Sequence, residues 1–176
     1  MRSPNQSMQW VVRPGLGLGD LRFGVLRDEV KLHLGHPEDI KTEAWGYDLH
    51  IAWYYWQTGV SVHFCGEDDF RLGTIDLERP DAELLGHRLI GLPEPEVREV
   101  LERMNLGPAQ NEVMEFSDYP TKRRLIYENQ GLNFWFKHDR LESIQWGYLF
   151  GANDEILWPQ AIQETGSAGG IASSKP

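Results

Sequence analysis

The residues from which this chain could build chemistry are six histidines, one cysteine and a scatter of carboxylates. Their spacing is sparse. His63 and Cys65 stand two apart in an alternating stretch and so share one face of a strand. A metal ion needs three or four converging ligands with a deprotonated thiol or neutral imidazole. Two candidates fall short, so neither a metal nor any other cofactor is expected. His33 and His36 flank Gly35 and Pro37, where a helix must stop, and capping or solvent exposure accounts for them. Glu67, Asp68 and Asp69 fall in a hairpin loop, whereas acid–base hydrolysis wants two carboxyl groups held apart around a substrate with at least one pKa displaced. A solvated turn is the reading. Cys65 has no basic neighbour in sequence, no nucleophile elbow is present, and Gly15, Gly17, Gly19 and Gly24 do not complete a dinucleotide-binding fingerprint. No catalytic residue is expected, and the chain reads as a non-enzyme.

What the sequence does offer is aromatic surface. Seven Trp, seven Phe and six Tyr make up 11% of the 176 residues. In the stretch from Leu49, alternation sends Leu49, Ile51, Trp53 and Tyr55 to one side and His50, Ala52, Tyr54 and Trp56 to the other. After a turn at Gln57–Gly59, Val60, Val62 and Phe64 oppose Ser61, His63 and Cys65. Further on, Leu132, Phe134 and Phe136 point inward while Asn133, Trp135 and Lys137 point outward. The outward set is therefore Tyr54, Trp56, His50, His63, Asn133, Trp135 and Lys137. Large amphipathic rings lose little rotamer freedom on docking and dominate interface hot spots. Two readings stay open: a contact surface, or a core face covered by the segment around Trp10 or by Trp45-Gly46-Tyr47.

The elements that would position this face recur. Gly19 to Leu34 lies over Gly86 to Leu101, Trp53 to Phe64 over Leu125 to Phe136, and Leu72-x-x-Ile75 over Leu141-x-x-Ile144. Each copy reads as a short helix and an antiparallel meander. Leu26, Val30 and Leu34 make one helical stripe, stopped at Gly35-His36-Pro37; Val97, Val100, Leu101 and Met104 make the other, stopped at Gly107-Pro108. The expected fold is α+β, a tandem repeat of short helix plus antiparallel β-meander, with helices covering one face of the sheet. Residues 15–80 form the first repeat, 81–158 the second, and 1–14 and 159–176 are flexible tails.

The pattern resembles a known group. A leader ending in Phe23-Gly24 or Ile90-Gly91, a helix with Glu29-Val30, then Leu34-Gly35-His36-Pro37, Trp53-Tyr54-Tyr55, a glycine turn and a Val62-x-Phe64 strand look like the beta-lactamase inhibitor protein fold. The small lipoprotein of the outer-membrane barrel-assembly machinery is similar. The resemblance covers roughly Leu16 to Tyr148. It implies a sheet that grips a partner protein with an aromatic face. It departs from the group at the helix N-caps, where Leu26 and Pro93 stand in place of Ser or Thr.

Charge narrows the partner. The formal net charge of −10 and pI near 5.0 argue against phosphate-backbone binding. They suit steering toward a basic partner. No apolar run reaches a membrane span, no signal-type apolar segment opens the chain, and one cysteine precludes an intrachain disulfide. A cytoplasmic location is expected, with no nucleic acid and no membrane as partner. The leading expectation is a non-catalytic protein-binding module, an immunity-type inhibitor of a bacterial toxin or enzyme, with a basic toxin domain as partner. The alternative is a small-ligand-binding protein or hydrolase using a cleft between repeats, with His50, His63 and Cys65 as its polar groups. A third reading is self-association through the aromatic face.

Overall fold

The computed structural model describes residues 9–115 and 121–159. The chain runs β1 (Val11–Arg13), β2 (Gly17–Leu18), β3 (Leu21–Arg22), α1 (Arg27–Leu34), β4 (Asp39–Trp45), β5 (Asp48–Tyr55), β6 (Val60–Cys65), β7 (Leu72–Leu77) and β8 (Glu83–Leu84). It continues through α2 (Glu94–Met104), β9 (Gln110–Met114), β10 (Lys122–Tyr127), β11 (Leu132–Lys137), β12 (Arg140–Gly147), β13 (Leu149–Phe150) and β14 (Ile156–Leu157). Most of these elements are strands. Eight of them form one sheet in the order β4-β5-β6-β7-β12-β11-β10-β9, every neighbour antiparallel.

This corrects the expected fold class. The molecule is mostly β, with two α-helices among the described residues and one continuous eight-stranded antiparallel sheet, and is not a tandem of helix-plus-sheet repeats. The reason is that alternation and helical stripes report local structure only. The pairing that joins the strands into one sheet is β7 with β12, setting Ile75 opposite Trp146 and Leu77 opposite Ile144. No local pattern encodes it.

A second sheet was also missed, with strand order β3-β2-β1-β8. Its first strand lies inside the segment expected to be a loose tail. Val11–Arg13 is ordered because Val12 is 2% exposed and pairs with Leu18 and Leu84. Gly17 permits this tight return: its φ is +142°, and a Cβ there would stand 1.9 Å from the Leu21 carbonyl oxygen. The Gly17 carbonyl in turn accepts a hydrogen bond from the Trp146 indole N–H at 3.1 Å, tying the small sheet to the middle of the large one.

One core joins everything. Inward residues of the large sheet, among them Trp53, Phe64, Ile75, Phe134 and Trp146, pack with Val30 of α1, Val97 and Leu101 of α2, and Leu18, Leu21 and Leu84 of the small sheet. The N-caps Leu26 and Pro93 make no side-chain cap hydrogen bond. A Ser or Thr cap contributes about 1 kcal/mol, so these helices depend on burial instead. Helices and small sheet thus share one face of the large sheet. The other face carries the polar half of each strand.

Candidate functional site: the open face of the large sheet

Alternation places His50, Tyr54, Trp56, His63, Asn133, Trp135 and Lys137 opposite the buried set of their own strands. The cross-strand register then brings them into rows. Tyr54 faces Ser61, which faces Asp76; Asp76 faces Gln145, which faces Asn133. Neither Trp10 nor Tyr47 covers these rows. The Arg79 guanidinium lies 4.0 Å from the Trp10 ring centre, and the Trp10 carbonyl accepts from the Glu83 N–H beside the small sheet. Tyr47 is fully exposed, and the Trp45 side chain lies outside what is described.

The aromatic members differ in how they are held. Tyr54 and Trp56 stack at 4.6 Å between ring centres, 11° from parallel, and Trp56 is 59% exposed. The Lys41 ammonium sits 5.1 Å over Tyr54. Trp135 is half-buried beneath Arg124, 4.9 Å from its ring centre, and its indole N–H donates to Gln145 Oε1 at 3.4 Å. Arg124 Nε donates to Glu112 Oε2 at 2.7 Å. Glu142 joins Lys122 at 2.8 Å and Lys137 at 3.4 Å, and Lys122 holds its carboxyl below the usual range against the opposing effect of burial.

Asp76 stands between these regions and was not anticipated. Its Oδ1 is sealed from solvent with no hydrogen-bond partner. Burial pushes its carboxyl up to about 7, while Ser143 pulls it partly back. Two steps along the strand and one strand over, His63 accepts or donates at 3.3 Å with Ser61 Oγ, and burial lowers its pKa, with His50 acting the same way.

At the β5–β6 corner the structure assembles more than the sequence promised. His50 is the register partner of Cys65, and Asp48 is two residues before His50 on the same strand face. The Cys65 thiol donates to Asp48 Oδ2 at 2.5 Å, and His50 Nε2 lies 3.1 Å from that same oxygen. Burial and the Asp48 bond push the thiol up to about 11, and the thiol's bond holds the Asp48 carboxyl below its usual value. Cys65 is therefore a protonated hydrogen-bond donor at neutral pH, a poor nucleophile.

A depression of about 1180 Å3 opens beside this corner. His50, Tyr54, His63, Cys65 and Asn133 line it from the sheet, with Tyr148 and Phe150 on its far wall; Trp56, Trp135 and Lys137 stand outside it. Tyr148 donates its hydroxyl to Asp68 Oδ2 at 2.8 Å, and desolvation and Asp68 raise its pKa. Asp68 thus belongs to the wall, while Glu67 and Asp69 are solvent-exposed turn residues.

No protein-family model matches the chain, and no curated protein does. One solved structure is similar. It is an extracellular protein containing a SCP domain from Bacillus anthracis str. Ames, with a TM-score of 0.48 and 8% identity; the similarity covers 93% of this chain and 55% of that one. This chain spans about half the length of that structure.

Asp48 and Asp76 are the site residues that sequence reading overlooked. Asp48 was within reach. Carrying the His50, Ala52, Tyr54 alternation one step back reaches Asp48, and a turn at Gln57–Gly59 fixes His50 opposite Cys65. Asp76 lies one residue past Ile75, on the face opposite to it, but its burial depends on the β7–β12 pairing.

Proposed function

We propose that the protein is a non-catalytic binding protein that receives a basic protein partner on the open face of its large sheet, as an immunity-type inhibitor of a toxin or enzyme does. The observation that carries this reading is the open face itself: a stacked Tyr54–Trp56 pair with Trp56 59% exposed. An exposed stacked pair is a pre-ordered anchor for a hot spot. The net charge of −10 steers a basic partner in. The family resemblance noted from the sequence agrees with a sheet that grips protein. An interface of about 1,600 Å2 is the size such complexes need.

The test is affinity capture from the source cells followed by titration of the recovered protein. The expected partner is basic and binds more tightly at low salt. Trp56→Ala weakens it about 30-fold or more, the loss of a hot-spot ring. Leu32→Ala, on the exposed side of α1 at 86% exposure, leaves affinity unchanged. Equal affinity of Trp56→Ala and the parent, with loss at Leu32→Ala, removes the open face from the account.

A second reading has one observation in its favour. The depression is large enough for a small molecule, and His50, Tyr54, His63 and Asn133 offer polar anchors within it. A thermal-shift screen in which saturable compounds lose their effect in His63→Ala supports that reading.

A further inference from the structure

We propose that Asp48, His50 and Cys65 form a three-ligand Zn2+ site at the corner of the open face. Residues two apart on a strand share a face, and His50 faces Cys65 directly across β5 and β6, so three ligand types converge without any loop having to fold over them. Their donor atoms all lie within 4.8 Å of one another. The individual separations are 2.5 Å for Asp48 Oδ2 to Cys65 Sγ, 3.1 Å for Asp48 Oδ2 to His50 Nε2, and 4.0 Å for Cys65 Sγ to His50 Nε2. Zinc bonds of about 2.0 to 2.3 Å at tetrahedral angles place ligand atoms about 3.3 to 3.6 Å apart. The thiol–carboxylate contact must open by about 1 Å and the thiol–imidazole gap close by about 0.4 Å. Replacing the shared proton with an ion does the first directly.

The carboxylate is already oriented for the task. Asp48 Oδ1 accepts the backbone N–H groups of Leu49 at 2.9 Å and Glu67 at 3.1 Å, which fixes the group and leaves Oδ2 facing the thiol and the imidazole. Held outer oxygens of this kind orient metal ligands in established sites. Thiolate with imidazole and one carboxylate selects Zn2+ over Mg2+ or Ca2+, which prefer oxygen-only shells. One thiolate and one carboxylate also cancel the ion's charge, so a half-buried site gains no net charge. The fourth position faces the depression, where water or a donor from a bound partner completes the tetrahedron. The ligands are half-buried, with side-chain exposure of 31% for His50 and 15% for Asp48, so the ion can enter from solvent.

Binding must release the Cys65 proton.

The experiment uses the full chain, stripped with chelator, and titrates it with ZnCl2 by calorimetry and with CoCl2 by absorption. The expected result is one equivalent bound, a tetrahedral Co2+ spectrum with a thiolate charge-transfer band, and a rate of Cys65 alkylation by iodoacetamide that changes with added Zn2+ and saturates at one equivalent, because the ion displaces the thiol proton. Cys65→Ala removes the charge-transfer band, and both it and Asp48→Asn weaken Zn2+ binding about 100-fold or more. Because Cys65 is the chain's single cysteine, the alkylation and Co2+ readouts report this site on the unmutated protein even if a variant fails to fold. Absence of stoichiometric binding, a Co2+ complex without sulfur ligation, or Zn2+ affinity unchanged in folded Cys65→Ala overturns the proposal.

Discussion

The two ends of the open face use similar residue types in opposite ways. On β9, β10, β11 and β12 the charged groups are spent on one another: Arg124 with Glu112, and Glu142 between Lys122 and Lys137, with Trp135 clamped between Arg124 and Gln145. On β5 and just beyond it the rings of Tyr54 and Trp56 stack on each other, with Lys41 over Tyr54, and the titratable groups cluster around a depression. The first arrangement satisfies itself and braces the sheet. The second leaves the Trp56 ring surface in contact with solvent, where a partner can use it. Alternation alone treats Trp56 and Trp135 as equivalent, and only their neighbours separate them.

The largest effect expected lies between the two ends. Asp76 titrates near 7 in the folded chain against about 4 unfolded. The protonated form therefore contributes stability that is complete below about pH 4 and is lost as pH rises through 7. Asp76→Asn should flatten that dependence and stabilise the free protein at pH 8 by on the order of 2 to 4 kcal/mol, read from urea unfolding at several pH values. Stability of the parent that is flat from pH 4 to 8 would contradict the burial assigned to this carboxylate.

Next comes the pair of tryptophans. Trp56→Ala should cost about 2 kcal/mol of partner affinity, whereas Trp135→Ala should cost less than half of that, because its ring is already engaged within the chain. Equal losses would show that the partner spans both ends. The order reverses for stability. Arg124→Ala frees Glu112 and uncovers Trp135, and should lower unfolding stability by about 1 kcal/mol, with Lys41→Ala, over half-buried Tyr54, within about 0.5 kcal/mol of the parent.

A kinetic effect separates binding from catalysis. With the thiol raised to about 11, metal-free Cys65 should react with a disulfide reagent at pH 8 about 100-fold more slowly than an ordinary thiol, its rate still climbing up to pH 11. A titration midpoint below 8 would instead mark an activated thiolate and revive the hydrolase alternative.

How much of this was legible in the sequence follows from the range of each signal. The faces of β5, β6 and β11 were readable because a strand's side-chain period is fixed, and Val30, Val97 and Leu101 were readable as helical stripes. The architecture was not, since it depends on the long-range pairing of β7 with β12 and on a small sheet whose strands Gly17–Leu18 and Leu21–Arg22 are too short to show a period. The same limit hid Asp76, whose burial comes from neighbours on a strand far away in sequence. The cluster at Asp48, His50 and Cys65 failed for a different reason. His50 and Cys65 were each noticed, but reading ligand spacing along one strand misses partners set by register.

Side-chain footprinting by hydroxyl radicals, with and without the recovered partner, tests the central claim most directly. Complex formation should strip modification from Trp56, Tyr54 and His63 while leaving Leu32 on α1 and Leu85 beside the small sheet, 57% exposed, as reactive as before. Protection of Leu32 and Leu85 with an unprotected Trp56 would place the partner on the helical side and contradict the account.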